Sequence, residues 1–160
     1  MSVTLEQTAR QSVGMGQIVY AQSGELTAIL VSCIGLFLYH PRTRTMALGH
    51  IVLPESSLRD GPPGKYADSA VPYMVKLFRD QGIAPGALVA KIAGGAAMFG
   101  RPGPLQIGNS NSEAVKRYLG QHGLSVQGEH VGGTKGRRLT ATAETGRLQI
   151  EIIGEPLILI

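Results

Sequence analysis

The single cysteine of this 160-residue chain, Cys33, and one of its four histidines, His50, have side chains that together could do covalent chemistry. A free thiol has a pKa near 8.5, so only a few per cent is thiolate at neutral pH. A neighbouring imidazole can take that proton, hold the thiolate as an ion pair and later protonate a leaving amine. Thr27, ahead of Cys33, offers a hydroxyl able to fix the ring tautomer of His50. That is the nucleophile, base and orienter logic of catalytic triads, with a hydroxyl as third member. On burial tendency alone, a lone cysteine in an apolar run is more often a core residue, and a lone strand histidine more often a structural donor. Ser32 is an alternative nucleophile or oxyanion-site element.

The pairing depends on a hairpin. Ile34–Tyr39 is rich in Ile, Leu, Phe and Tyr and reads as a strand, His40–Thr45 as the polar turn, and Met46–Leu53 as the return strand stopped by Pro54. With a loop of His40–Thr43, Tyr39 pairs with Arg44 and Cys33 falls opposite His50. Directly opposed residues in an antiparallel pair share a face about 5 Å apart. A register shift of two residues keeps both side chains on that face, whereas a shift of one separates them.

Around this hairpin, Met15–Ala21, Thr27–Val31, Leu88–Ala93, Leu124–His130, Arg137–Ala143 and Gly146–Ile153 read as strands, the last two as a hairpin about Glu144-Thr145-Gly146. Residues 1–12 read as a frayed leader, and Glu55–Gly64 as a loop. Apolar residues at three- and four-residue spacing predict a helix over Tyr66–Gln81, with Pro72 either kinking it or lying in its first turn. Ser110 and Glu113 have the spacing of a capping box for a second helix, Ser112–Gln121. Hairpins outnumber strand–helix–strand crossovers, which favours an α+β domain with largely antiparallel sheet, one domain spanning 1–160.

Composition excludes other classes. One cysteine rules out an intrachain disulfide framework, and without a Cys-x-x-Cys pair a thiolate zinc site is not expected. No cofactor or metal is expected. The longest apolar stretch, Leu26–Tyr39, is interrupted and shorter than the roughly 20 residues a spanning helix needs. With no apolar leader either, membrane insertion is not expected and a cytoplasmic protein is. The net charge of +4 is concentrated partly in Lys135, Arg137 and Arg138, which read as a solvated loop. No aromatic residue lies near them in sequence, so nucleic acid is set aside. Gly94-Gly95 and Gly132-Gly133 lack a phosphate-loop context and read as places where loops pass close to a cleft.

An ordered set of motifs resembles the CheD family of chemoreceptor glutamine deamidases. It begins with Thr27-Ala-Ile-Leu-Val-Ser-Cys33, Leu36-Phe-Leu-Tyr-His-Pro41 and Gly49-His-Ile-Val-Leu-Pro54. It continues through Lys65-Tyr-Ala-Asp68, Lys91-Ile-Ala-Gly-Gly-Ala96, Ile107-Gly108 to Asn111, Gly132-Gly133 with Gly136-Arg137, and Thr145-Gly146. The resemblance implies a three-layer α/β/β sandwich with largely antiparallel or mixed sheets, similar to bacterial toxin deamidases. It implies a protein-glutamine glutaminase with Cys33 as nucleophile, His50 as general base and Thr27 as the polar third residue. The implied substrate is glutamine on chemoreceptor cytoplasmic helices, converted to glutamate with release of ammonia. A CheC-type phosphatase is an implied partner. The family usually has glycine where Val31 stands, and some members have it at Ile29. Glycine there permits positive φ or close backbone approach. His40 stands where the family usually has aspartate, a turn position. The alternative readings are a non-catalytic adaptor of the same fold, binding such a phosphatase or a receptor, and a cysteine hydrolase acting on some other amide.

Overall fold

The computed structural model describes residues 9–55, 60–97 and 107–160. The strands are β1 (Arg10–Ser12), β2 (Ile18–Ala21), β3 (Glu25–Leu30), β4 (Ile34–His40), β5 (Thr45–Ile51), β6 (Val89–Gly94), β7 (Val126–Val131), β8 (Arg137–Thr142), β9 (Leu148–Glu151) and β10 (Ile158–Leu159). Helix α1 spans Ala67–Arg79 and α2 spans Ile107–Gln121. One sheet has the order β1-β3-β8-β9-β10, the other β2-β5-β4-β6-β7. Each is antiparallel except for one parallel pair, β1 with β3 and β6 with β7.

Alternation along β4 explains the layers. Ile34, Leu36 and Leu38 meet α1 and α2 through Ala70, Met74, Phe78 and Val115. The intervening Phe37 and Tyr39 face the other sheet and pack with Leu26, Leu139 and Leu148. Covered on both faces, β4 and β5 are buried at every residue, as expected for central strands between two layers. The stack is therefore helices, sheet, sheet: the α+β class read from the sequence, in the three-layer arrangement the family resemblance implies.

Several local expectations need correction. Residues 10–12, read as leader, form β1, paired in parallel with Glu25–Thr27; residues 1–8 lie outside the described residues, as do 56–59 of the expected loop. Pro72 lies in the second turn of α1 instead of its first. Ser110 is inside α2, so the capping box with Glu113 is not made. Arg137 is not solvated. It is 4% exposed and donates to the carbonyls of His130, Gly132 and Lys135 and to His130 Nδ1. Burial lowers the pKa of its guanidinium, which Glu155 opposes.

The hairpin register also differs. Tyr39 pairs with Met46 and His40 with Thr45, so the loop is Pro41–Arg44 and Gly35, not Cys33, stands opposite His50. Arg44 causes this. It takes a left-handed conformation, φ 56, which belongs to a turn and not to a strand. His40 closes the turn through Nδ1 to Thr43 Oγ1 at 2.7 Å, a structural role for the residue at the aspartate position. The register moves by two residues, so Cys33 and His50 keep the same face.

Candidate active site

Cys33 ends a bend, Val31-Ser32-Cys33, between β3 and β4. All three carbonyls of the bend are held. Val31 O accepts from Ala96 N at 2.7 Å, Cys33 O from Gly95 N at 2.9 Å, and Ser32 O from Asn111 Nδ2 at 3.0 Å. Gly94 makes this closeness possible: a Cβ there would lie 2.2 Å from Cys33 O. The Gly132-Gly133 pair braces the same spot, with Gly132 N bonded to Gly94 O at 2.9 Å and Ala97 N to Gly133 O at 2.8 Å. Gly94-Gly95 thus serves close backbone approach at the thiol, whereas Gly132 and Gly133 supply positive φ, 88 and 73, and an added Cβ at Gly132 would meet nothing within 4 Å.

Val31 fits its position without strain. The one non-glycine residue at positive φ among the described residues is Arg44, so the branched side chain meets no left-handed penalty. Room for it comes from Gly136, where a Cβ would lie 3.3 Å from Val31 Cγ2.

His50 is 4% exposed on β5. Its Nδ1 lies 2.9 Å from Val13 O. A carbonyl can only accept, so Nδ1 carries the proton and Nε2 keeps the lone pair of a neutral ring. The expected orienter was the Thr27 hydroxyl; here a main-chain carbonyl performs that task. Thr27 contributes through its own backbone, because Val13 N donates to Thr27 O at 2.7 Å. The loop before β2 holds the His50 backbone too, with Gly16 N to His50 O at 2.8 Å and His50 N to Gln17 O at 3.0 Å. Sequence reasoning missed Val13 because a main-chain acceptor leaves no residue-type signature.

Thr27 alternates along β3 with Leu26 and Ala28, which enter the core. Its half-buried side chain lines a cleft of about 480 Å³ together with His50 and Val13. Met15 and Ile29, 68% and 69% exposed, form an apolar rim; Arg138 adds positive charge, and Arg10 is paired with Glu25 at 2.7 Å. Cys33 is 7% exposed and packs in the inter-sheet core. One residue beyond the ladder, it is a diagonal neighbour of His50, a relation that spans about 7–8 Å between backbones. Among the described residues no hydrogen bond joins thiol and ring. Such contacts commonly tighten only when substrate binds.

Burial pushes the Cys33 pKa up. It pushes the His50 pKa down, with the Val13 hydrogen bond a smaller opposing effect. Both shifts favour a neutral thiol beside a neutral imidazole at neutral pH, in place of the ion pair expected from residue types. Alkylation of Cys33 by iodoacetamide should therefore accelerate only as pH rises beyond the ordinary thiol value. Rates measured from about pH 5 to about pH 10 check this, and a fast plateau below about pH 7 would contradict it. No group of three or more His, Cys, Asp or Glu able to hold a metal occurs among the described residues.

The fold and this corner define an α+β protein in which one buried thiol and one tautomer-fixed imidazole share a face at the end of a two-sheet sandwich. The chain belongs to the CheD family, described as CheD chemotactic sensory transduction, whose match covers residues 52–152. A relative from Symbiobacterium thermophilum, named a probable chemoreceptor glutamine deamidase CheD, is 40% identical over 90% of this chain and 93% of its own. The chemoreceptor glutamine deamidase CheD of Thermotoga maritima is 35% identical over 91% of this chain and 93% of its own. The solved structure of Bacillus licheniformis hypothetical protein YfiH aligns with a TM-score of 0.49 and 15% identity, over 71% of this chain and 49% of that one. Among the described residues no helix is long and apolar enough to cross a membrane.

Proposed function

We propose that this chain is a chemoreceptor glutamine deamidase with Cys33 as nucleophile, His50 as general base and acid, and Thr27 as the polar third residue. The family membership supports the reaction. The observation that carries the residue assignment is the His50 ring, with Nδ1 held by Val13 O at 2.9 Å and Nε2 left as a base on the face shared with Cys33.

The neutral resting pair suits general-base attack. His50 Nε2 takes the thiol proton as Cys33 Sγ bonds to the side-chain amide carbon of the glutamine. The carbonyl π electrons move to oxygen, and backbone N–H groups beside Cys33 stabilise that charge. The C–N bond then breaks, the amine leaves with the His50 proton as ammonia, and a thioester forms. Water gives a proton to His50 and attacks the thioester carbon. The C–S bond breaks, sulfur takes the proton back, and glutamate is released.

The substrate in this proposal is a receptor cytoplasmic helix, and the rim fits an amphipathic one. Met15 and Ile29 offer apolar contact, and Arg138 offers positive charge. The chain works as a single CheD-like domain in the cytoplasm, with a CheC-type phosphatase as a partner. The test is incubation with a receptor cytoplasmic fragment, with ammonia and fragment mass both measured. Ammonia release matched by conversion of glutamine to glutamate is expected; none from any receptor glutamine overturns the reading and leaves an adaptor or a hydrolase of some other amide. Slow alkylation does not separate deamidase from adaptor, because a buried neutral thiol predicts it for both.

A further inference from the structure

Asn111 is a fully buried polar residue within α2. Asparagine is a poor helix former, and its side chain here is only partly satisfied. Nδ2 donates to Ser32 O at 3.0 Å and to Val52 O at 2.8 Å. Both partners are carbonyls, so the atom facing them must be the nitrogen. Oδ1 is buried with no partner. The residue thus keeps two donors at the cost of an orphaned acceptor, which is unfavourable for a purely structural link.

The two acceptors make the link informative. Ser32 precedes Cys33, and Val52 follows His50 by two positions. In a trans peptide the C=O and N–H of one unit point in opposite directions, and no cis peptide occurs among the described residues. The Ser32 carbonyl points to α2 and Asn111. The N–H of the same unit, which belongs to Cys33, must then point away from the helix layer, towards the side of the sheet that carries the thiol. No acceptor for that N–H occurs among the described residues. The peptides on either side have their carbonyls fixed by Ala96 N and Gly95 N, so Asn111 fixes the one between them. Val52 O, one residue past the end of the strand that carries His50, fixes the amide itself.

We propose that Asn111 is a positioning residue for the oxyanion site: it locks the Ser32–Cys33 peptide plane so that the Cys33 N–H faces the oxygen of the attacked amide. This rests on the deamidase reading above. It gives α2, which contributes no side chain to the reacting atoms, a role in the chemistry.

The test uses the full chain carrying Asn111→Leu, similar in size but without donors, and Asn111→Ser, too short to reach both carbonyls. Deamidation of a receptor fragment and alkylation of Cys33 by iodoacetamide are measured side by side. Alkylation occurs at a saturated carbon and builds no oxyanion, so it reports the thiol and its base alone. The expected result is a fall in kcat of about 100-fold with KM and the alkylation rate each within about twofold of wild type. A kcat near the wild-type value overturns the inference. So does a parallel fall in kcat and alkylation, which would make Asn111 a prop for the thiol itself. Should the leucine variant lose its fold by circular dichroism, the serine variant decides; loss of fold in both overturns the inference in favour of a structural tie. A wild-type chain that releases no ammonia overturns the deamidase reading, a different result from an active wild type matched by its variants.

Discussion

Cys33→Ala should abolish deamidation while leaving the fold in place. Without sulfur there is no thioester and no covalent route, and His50 alone has only water to activate. Loss of the nucleophile from a working catalytic unit costs up to about 10⁶ in kcat, because the remaining groups have nothing to act on. The structural effect is much smaller. Cys33 is 7% exposed and sits among Leu30, Phe37 and Ala93. Removing one buried atom leaves a small void and should cost about 1 kcal/mol. For a domain of this size that is a fall in Tm of about 2–4 °C. The checks are fragment mass after prolonged incubation and thermal unfolding by circular dichroism. A variant that still converts receptor glutamine at a measurable rate would sink the assignment. A variant that unfolds at room temperature would mean that the thiol serves mainly as core.

How far the site was legible depends on what kind of atom does each task. That Cys33 and His50 share a face was legible because strand alternation survives a two-residue error. The register itself was not, since it turned on Arg44 adopting φ 56, and no residue-type rule assigns arginine to a left-handed turn. The main-chain partner of the His50 ring was not legible for a related reason. A hydroxyl at Thr27 is visible in a sequence, whereas the carbonyl of Val13 is common to every residue. Arg137 looked like one of three solvated cations until its position placed it beneath the Gly132–Lys135 loop, where main-chain carbonyls replace the water it gives up. Layer order came from the family resemblance and not from periodicity, and its physical basis is that β4 sends alternate residues to the helices and to the second sheet. In each case the pattern of side chains was visible, and the main-chain partners that finish the site were not.

Gly94→Ala carries the largest expected structural effect, and it tests the main-chain part of the site directly. Gly94 closes β6 at φ 110, a conformation L side chains rarely adopt. An added Cβ would lie 2.2 Å from Cys33 O and 3.2 Å from Leu30 Cδ1. The nearer atom is backbone, and it is already bonded to Gly95 N, so it cannot yield without moving the bend. Backbone strain and overpacking together should cost about 4 kcal/mol. That corresponds to a fall in Tm of about 10 °C. Because the bend carries the nucleophile, a displacement of about 1 Å should also lower kcat about 100-fold in molecules that remain folded. Gly120→Ala is the matched control. It lies in α2 with nothing within 4 Å of the added carbon, and helix propensity predicts a gain of up to about 1 kcal/mol. The same substitution should therefore destabilise at one glycine and stabilise at the other. Thermal unfolding of both variants, with deamidation assayed well below each midpoint, reads the contrast. If Gly94→Ala melts within about 2 °C of wild type, the close approach of β6 to the Cys33 carbonyl is not what holds the nucleophile.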